Sequence, residues 1–242
     1  MNLPIDPSSL SHIESVLAAS MSGLLIALAW LWFWLREDAS HPEPRRLIAL
    51  AFASGMAIVL PVVGLELYVQ NFLVAEGLLY IAWSSIEEAA KYAVARITVL
   101  WRKEDDEPID PVIYMVTTAL GFAGVENALF LMSPISGSTV LETIQNGDMR
   151  FVGATLVHVI ASSIIGIALG VSMDKPKWVH GLYVFFGVIL AASLHSAFNL
   201  SILNASPARM MEVFLVIWML VIVLLAILEW VKRLRPRQLQ TP

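Results

Sequence analysis

Residues 151–173 read FVGATLVHVIASSIIGIALGVSM, a run of 23 positions without Asp, Glu, Lys or Arg. A membrane-crossing helix needs about 20 predominantly apolar residues, so this stretch is long enough to span a bilayer. It also carries one ionisable residue, His158, in its apolar interior. The stretch therefore predicts a transmembrane helix, and it raises the question of what a histidine does inside one.

Six further apolar stretches flank this one, and polar segments such as REDASHPEPRR and WRKEDDEPID separate most of them. The predicted spans are residues 14–35, 47–69, 72–100, 111–132, 151–173, 178–204 and 209–231. No soluble domain or repeat interrupts the series. We therefore predict a single integral membrane domain over residues 1–242, an all-α polytopic transmembrane bundle of seven spans.

Composition also indicates a membrane protein, since 58% of the residues are hydrophobic and 14% are charged. A typical soluble domain has about 25% charged residues. Eleven of the 15 Lys and Arg residues fall in alternate loops and the C-terminal tail, and only Arg150 and Arg209 fall on the other side. The positive-inside rule then predicts an outside N-terminus and a cytoplasmic C-terminus in the cell (plasma or inner) membrane.

Some classes of function are excluded by what the chain lacks. There is no basic patch suited to nucleic acid, so no nucleic-acid partner is expected. Without cysteine, the chain can use neither a thiolate nucleophile nor Cys-ligated zinc. All aspartates lie in predicted loops or tails and no GxSxG motif occurs, which excludes an intramembrane aspartyl dyad and argues against a serine elbow.

Five ionisable side chains within the predicted spans fall at one depth. They are Glu87, Glu88, Glu126, His158 and His195. A charged side chain near the bilayer centre costs roughly 2.5–3.5 kcal/mol on insertion scales. At about 1.5 Å per residue, all five lie in one layer of the outer half, although they come from four spans of both directions. A common site explains that shared depth, and catalysis is its leading interpretation.

Glu87 and Glu88 are adjacent, and Lys91 follows within one helical turn of both. Residues three and four apart are neighbours on a helix surface, so Lys91 can pair with either carboxylate. One lysine neutralises only one of the two carboxylates. This favours the interpretation that the other is a general base, whose orientation and pKa are set by the remaining two side chains. A purely structural intramembrane ion pair is the alternative.

Two further groups of polar residues could take part in the same chemistry. Glu126, followed by Asn127, would place another carboxylate beside the first two, and carboxylates brought together share protons. His195 and Asn199 are four residues apart, so they lie on one helix face, where imidazole and amide can donate to a developing oxyanion. Hydrogen bonding between helices is the structural alternative for each group.

His158 is open to both interpretations, because Ser162 lies on the same face and could satisfy it. A metal site also fits the inventory, since His158, His195 and Glu126 could supply three ligands and leave a position for water. No HExxH motif supports such a site. We therefore expect no cofactor, with zinc as the alternative.

The order of these motifs resembles the PrsW family of intramembrane proteases, which are relatives of the CAAX prenyl endopeptidases and the bacteriocin-processing enzymes. The matching segments are Glu87-Glu88-Ala-Ala-Lys91, Phe122-Ala-Gly-Val-Glu126-Asn127, His158, His195-Ser-Ala-Phe-Asn199 and the loop His41-Pro-Glu-Pro44. Together they cover roughly residues 36–204. Each motif is weak alone, whereas four in order on separate spans are specific.

The resemblance implies an Abi-type helical bundle that hydrolyses peptide bonds at or near the membrane. Bacterial members are associated with cleaving membrane-anchored anti-sigma factors on the outer side. It implies Glu87 and Glu88 as the catalytic motif, Glu126 as a helper in water activation, and His195 and Asn199 as oxyanion donors. Asn199 stands where many members have Asp, which resembles the CAAX-type pattern and favours a donor over a metal ligand.

We therefore predict an intramembrane endopeptidase that uses glutamate-activated water near the extracytoplasmic face, with Lys91, His158 and Asn127 in supporting positions. Its expected partners are the lipid bilayer and a membrane-anchored protein substrate. Two alternatives belong to other classes: a proton-coupled transporter, which needs a polar path to both faces, and a non-catalytic membrane scaffold. The polar groups gather in the outer half, which argues against transport.

Overall fold

The computed structural model describes residues 7–37, 42–132, 140–203 and 205–234. Within these residues, the seven regular elements are all α-helices. They are α1 (Pro7–Trp34), α2 (Arg45–Gln70), α3 (Glu76–Thr98), α4 (Asp110–Met132), α5 (Val140–Val171), α6 (Lys177–Ile202) and α7 (Pro207–Val231). The predicted all-α class is confirmed.

The predicted spans correspond to these helices in order, with the largest difference at α5. This helix begins at Val140, whereas the span was predicted to start at residue 151. The intervening residues LETIQNGDMR are too polar for a bilayer interior, but they include good helix formers such as Leu, Glu and Gln. The helix therefore continues beyond the apolar stretch that hydropathy detects.

Among the described residues, five helices are long and apolar enough to cross a membrane. They are α2, α4, the part Gly153–Val171 of α5, α6, and Ala208–Val231 of α7. The described apolar part of α1, Ser20–Trp34, is shorter. Helix α3 does not qualify because Glu87, Glu88 and Lys91 make it too polar. A helical membrane protein is thus confirmed, while a count of seven spans stays a prediction.

The centre of the bundle is α4, which packs against α1, α2 and α5. An apolar 18-residue stretch of α4 is 83% buried, whereas the corresponding stretch of α7 is 22% buried. Two glycines bring α2 and α4 into backbone contact. A Cβ at Gly55 would lie 2.0 Å from the Thr118 carbonyl oxygen, and one at Gly121 would lie 2.0 Å from that of Phe52. Only glycine permits so close an approach.

One face of α3 is turned into the bundle. Its buried residues are Ser84, Glu87, Glu88, Lys91 and Ala95. Because residues three and four apart share a helix face, these positions form a single stripe. Helix α3 packs against α2 and α6 and also contacts α4 and α5, so its polar stripe faces the interior. This packing places the carboxylates of α3 beside the histidines of α5 and α6.

Candidate active site

Five buried side chains from three helices form what we call the polar cluster. Glu87, Glu88 and Lys91 come from α3, His158 from α5 and His195 from α6, and none of these residues as a whole is more than 5% exposed. The two imidazole rings meet edge to face, with 4.8 Å between their centroids. Charged groups are buried only where partners compensate for the lost water, so the contacts within the cluster define its chemistry.

Glu88 is held by partners on both carboxylate oxygens. Its Oε1 lies 2.5 Å from Lys91 Nζ and 2.9 Å from His195 Nδ1. Its Oε2 accepts a hydrogen bond of 3.1 Å from Ser162 Oγ. A carboxylate only accepts, so its contact with His195 assigns the donating N–H to Nδ1. This saturated carboxylate fixes the positions of its neighbours.

Glu87, the adjacent residue, is in the opposite situation. Its Oε2 is buried and has no hydrogen-bond partner among the described residues. That atom lies 3.8 Å from His158 Nδ1, 3.8 Å from His195 Nδ1 and 3.9 Å from Lys91 Nζ. Three nitrogens thus surround one carboxylate oxygen just beyond hydrogen-bond distance. The Glu87 side chain is also 6% exposed, while that of Glu88 is 0% exposed.

His158 links the cluster to Glu126 on α4. Its Nδ1 lies 2.8 Å from Lys91 Nζ, and its Nε2 lies 2.6 Å from Glu126 Oε2. An ammonium group only donates, so Nδ1 accepts, and the ring hydrogen of neutral His158 is on Nε2. The Nε2–H group therefore lies against Glu126 Oε2, in close contact but without hydrogen-bond alignment. The three side chains form a chain of close polar contacts from α3 through α5 to α4.

The charges of this region are unbalanced. The carboxylates of Glu87 and Glu88 lie within 4 Å of the single ammonium of Lys91, and a third carboxylate, that of Glu126, lies on the far side of His158. The face of the Phe122 ring lies 4.8 Å from Lys91 Nζ and adds a cation–π contact. With neutral histidines the formal excess is two negative charges. A bound proton or cation would relieve this excess.

A cavity of about 100 Å³ adjoins the polar cluster. It is lined by Glu126, Asn127, Phe130, Ala154, His158, His195, Phe198, Asn199 and Ile202. Since a water molecule occupies about 30 Å³ in the liquid, the cavity has room for a few. The two histidines thus belong both to the polar cluster and to the cavity wall, whereas Glu87 does not line the cavity.

Two amide side chains of the cavity wall are each anchored by one hydrogen bond. Asn199 Nδ2 donates to Ser84 Oγ at 3.1 Å, and Asn127 Nδ2 donates to Thr155 Oγ1 at 2.9 Å. A primary amide has two N–H groups, so each side chain keeps a second donor. The anchoring bonds fix the orientation of these amides without using all their donors.

All eight sequence-predicted site residues lie in the polar cluster or line the adjoining cavity. Glu126 is the one whose place differs most from expectation, because it contacts the far nitrogen of His158 and lies outside the group around Glu87. Two contacting residues were missed or given the wrong partner. Ser84 binds Asn199, and Ser162 binds Glu88 instead of His158. Ser84 is four residues before Glu88 and Ser162 is four residues after His158, so this spacing on the two helix faces could have identified them.

Four residues of the cluster could hold a metal ion. Glu87, Glu88, His158 and His195 each offer one ligand atom, and these atoms lie within 4.8 Å of one another. Carboxylates and imidazoles are zinc ligands. Glu87 Oε2, which has no hydrogen-bond partner among the described residues, is available as a ligand atom. The residues therefore fit a metal. This donor set contains the two α3 carboxylates in place of the Glu126 expected from sequence.

Residues 42–44 of the His41-Pro-Glu-Pro44 loop lie away from the polar cluster, and His41 is outside the described residues. The Tyr114 hydroxyl donates to the Glu43 carboxylate and so ties this loop to α4. Burial raises the pKa of Glu43 above its ordinary value, although the hydrogen bond from Tyr114 acts against that shift. Tyr114 precedes Phe122 by eight residues, or about 12 Å along α4. Glu43 therefore anchors the loop at some distance from the cluster.

Comparison with known proteins identifies relatives of the chain. The profile of the PrsW family, described as intramembrane metalloproteases, matches residues 43–227. Protease PrsW of Geobacillus kaustophilus (strain HTA426) is 24% identical over 188 residues, covering 74% of this chain and 76% of the relative. That of Bacillus subtilis (strain 168) is 21% identical over 181 residues, covering 74% and 79%.

Protease PrsW of Clostridioides difficile (strain 630) is 27% identical over 179 residues, covering 69% of this chain and 72% of the relative. No solved structure matches the chain. The family profile covers all the residues of the polar cluster and its cavity. The chain therefore belongs to the PrsW family of intramembrane metalloproteases, and it is a membrane-embedded protease.

Proposed function

We propose that the protein is a single-domain, seven-span endopeptidase of the cell membrane that cleaves a membrane-anchored protein near the extracytoplasmic side. The observation that carries the mechanism is the contrast between two adjacent glutamates. Glu88 has partners on both oxygens, whereas the buried Oε2 of Glu87 has none among the described residues. Of these two glutamates, Glu87 is thus the one placed to take a proton from water.

In this mechanism, a water molecule from the adjoining cavity passes the two histidines and reaches Glu87 Oε2. Glu87 takes a proton from it, and the resulting hydroxide attacks the carbonyl carbon of the scissile peptide bond. A general base of this kind contributes about 10²–10⁴-fold to the rate. Glu87 then returns the proton to the leaving amine as the C–N bond breaks, so that one water is added overall.

The cavity wall supplies donors for the oxyanion that forms during the attack. Asn199 keeps one N–H after its bond to Ser84, and removal of one such donor typically costs about 10²–10³-fold in kcat. His195 directs its Nδ1–H at Glu88, so it donates from Nε2 only as an imidazolium. Asn199 is therefore the simpler donor, and Glu126 orients His158 from the far side.

A metal-dependent version of the same protease uses the same residues. Zinc would be held by Glu87, Glu88, His158 and His195, and when bound it supplies a Lewis acid that makes water more acidic. Lys91 Nζ contacts His158 Nδ1, so this contact would be lost if that nitrogen were the metal ligand. The excess negative charge of the region supports this version.

The substrate class follows from the location of the site. A protein anchored in the same bilayer reaches a membrane-embedded cavity, and an anti-sigma-factor-type substrate is the proposal that the family resemblance supports. The family match and the clustering of acidic residues and histidines beside a cavity support proteolysis over transport or a purely structural role.

New protein N-termini in membranes provide the test. Cells that lack the protein are supplied with the wild type, Glu87→Gln or the control Glu229→Gln, whose side chain is 59% exposed. Mass spectrometry then identifies N-termini that the wild type creates. We expect the control to create the same set and Glu87→Gln to create none of it. Identical sets in all three strains would contradict the proposed function.

A further inference from the structure

A second cavity lies between α6 and α7 and borders the first one. Its volume is about 270 Å³, and its wall is largely apolar, with Leu194, Val213, Val216 and Leu220 among the lining residues. We propose that this space, the α6–α7 groove, receives the apolar segment of the substrate that adjoins the scissile bond. The inference rests on the proposed function, since it names how the substrate reaches that same site.

The groove and the catalytic cavity adjoin each other at one side chain. Phe198 lines both spaces, and it is 7% exposed. The tip of its ring packs on α5, where a Cβ at Gly153 would lie 3.5 Å from the ring. A chain lying in the groove is thus separated from His195 and Asn199 by a single aromatic ring.

The packing of α7 leaves this side of the bundle open. Helix α7 packs more closely against α5 than against α6. Its residues Leu215, Val216 and Met219 are more than half exposed. In a bilayer these surfaces face lipid, so the seam between α6 and α7 opens laterally. A membrane-anchored substrate arrives from that direction.

The groove also has a direction that suits a membrane-anchored chain. It runs from Leu194 to Ser201 on α6, which is about 10 Å of helix. On α7 it begins at the ion pair of Arg209 and Glu212, whose atoms are 3.2 Å apart, and continues to apolar Leu220. One end is therefore polar and the other apolar. An apolar segment that leaves the membrane at the polar end matches this gradient.

The size of the two spaces assigns them different parts of the substrate. The catalytic cavity, at about 100 Å³, has room for the reacting atoms but not for the neighbouring side chains. The groove has more than twice that volume and a mostly apolar wall. Residues next to the scissile bond are therefore expected to be apolar in cleaved proteins.

Filling the groove with a large side chain tests the inference in cells. Ala197→Trp and Val216→Trp fill it from α6 and from α7 at exposed positions. The controls Leu190→Trp and Ile222→Trp add the same side chain at lipid-facing positions outside the groove, which are 56% and 65% exposed. We expect the abundance of the N-termini that the wild type creates to fall at least about tenfold in the first two variants and to stay at the wild-type level in the controls. Equal cleavage by all four would overturn the inference while leaving the proposed function intact.

A binding measurement is independent of cleavage. Purified Glu87→Gln protein in liposomes is exposed to a synthetic Leu/Ala helix of about 20 residues that carries a benzophenone, and mass spectrometry maps the cross-links. We expect them to concentrate on groove residues and to disappear in Val216→Trp but not in Ile222→Trp. Cross-links spread over all lipid-facing helices would overturn the inference, even if the proposed function had also failed. Labelling of the groove by a photoreactive phospholipid that the peptide does not displace would identify a lipid site instead.

Discussion

Two regions of the protein bury carboxyl groups in different ways. In the polar cluster, Glu88 faces the nitrogens of Lys91 and His195, and a cavity lies beside them. Near the start of α4, Glu43 has the Tyr114 hydroxyl as a partner, and burial raises its pKa. The first region is built for an ionised carboxylate and the second favours a protonated one. A buried acid alone therefore does not indicate catalysis; its partners and an adjoining cavity do.

Glu88→Gln is expected to have the largest effect on stability. The substitution removes the charge that faces Lys91 and His195, and breaking a buried ion pair typically costs about 3–5 kcal/mol. Thermal or denaturant unfolding in detergent measures this loss. Glu87→Gln is the matched control, since its Oε2 has no hydrogen bond to lose among the described residues, and it should change stability by less than about 1 kcal/mol. Equal destabilisation by the two variants would remove the distinction between the two glutamates.

Zinc is expected to stabilise the wild type through the four-residue donor set. A ligand present at 100 times its dissociation constant stabilises the folded state by about 2.7 kcal/mol. The unfolding midpoint of chelator-treated protein should therefore rise on zinc addition, and His195→Ala should lose most of that rise. Glu229→Gln, at an exposed position outside the set, should keep it. A rise of the same size in His195→Ala would place the metal elsewhere.

Glu43→Gln is expected to have the smallest effect, and only at higher pH. The pKa of Glu43 is raised above 4.5, so the folded state favours the protonated carboxyl group. The resulting stabilisation is fully present below pH 4.5 and is lost as the pH rises through the raised pKa. The variant mimics the protonated form, so it should match the wild type near pH 4 and exceed it near pH 8. Solvent screens this half-buried group, which limits the gain to under about 1 kcal/mol.

Unfolding measured over this pH range tests the Glu43 prediction, with cleavage rates measured in parallel. The cleavage rate of Glu43→Gln should equal that of the wild type, because Glu43 lies outside the polar cluster. A loss of cleavage would show that the Glu43 region contributes to the function of the polar cluster, and would contradict the separation of the two regions.

Much of the fold follows from hydropathy and charge, because both record depth in the membrane. The order of the helices and the common layer of Glu87, His158 and His195 were predictable from residue counts along each span. The early start of α5 was not, since a polar segment can remain helical outside the bilayer. Apolarity does not show where a helix ends once it leaves the lipid.

The contacts within the site were less predictable, because the sequence of a mostly apolar helix does not show which of its faces is turned into the bundle. Helix α3 carries a charged stripe, with two carboxylates and one ammonium, so the sequence showed its inward face. The partners of that stripe depend on α5 and α6, which are apolar on most sides. For this reason, the bond of Ser162 to Glu88 and the contact of Lys91 with His158 appear only in three dimensions.

The central claim is that Glu87, whose Oε2 has no hydrogen-bond partner in the described part of the chain, is the base that activates water. Its direct test is the single-turnover cleavage rate of one substrate, identified by its new N-terminus, in liposomes containing wild type, Glu87→Gln or Glu126→Gln. We predict that Glu87→Gln lowers the rate by about 10²–10⁴-fold while remaining folded, and that Glu126→Gln, which acts through His158, lowers it less. Normal cleavage by Glu87→Gln, together with its loss in Glu126→Gln, would contradict the claim and assign the base to the glutamate that lines the cavity.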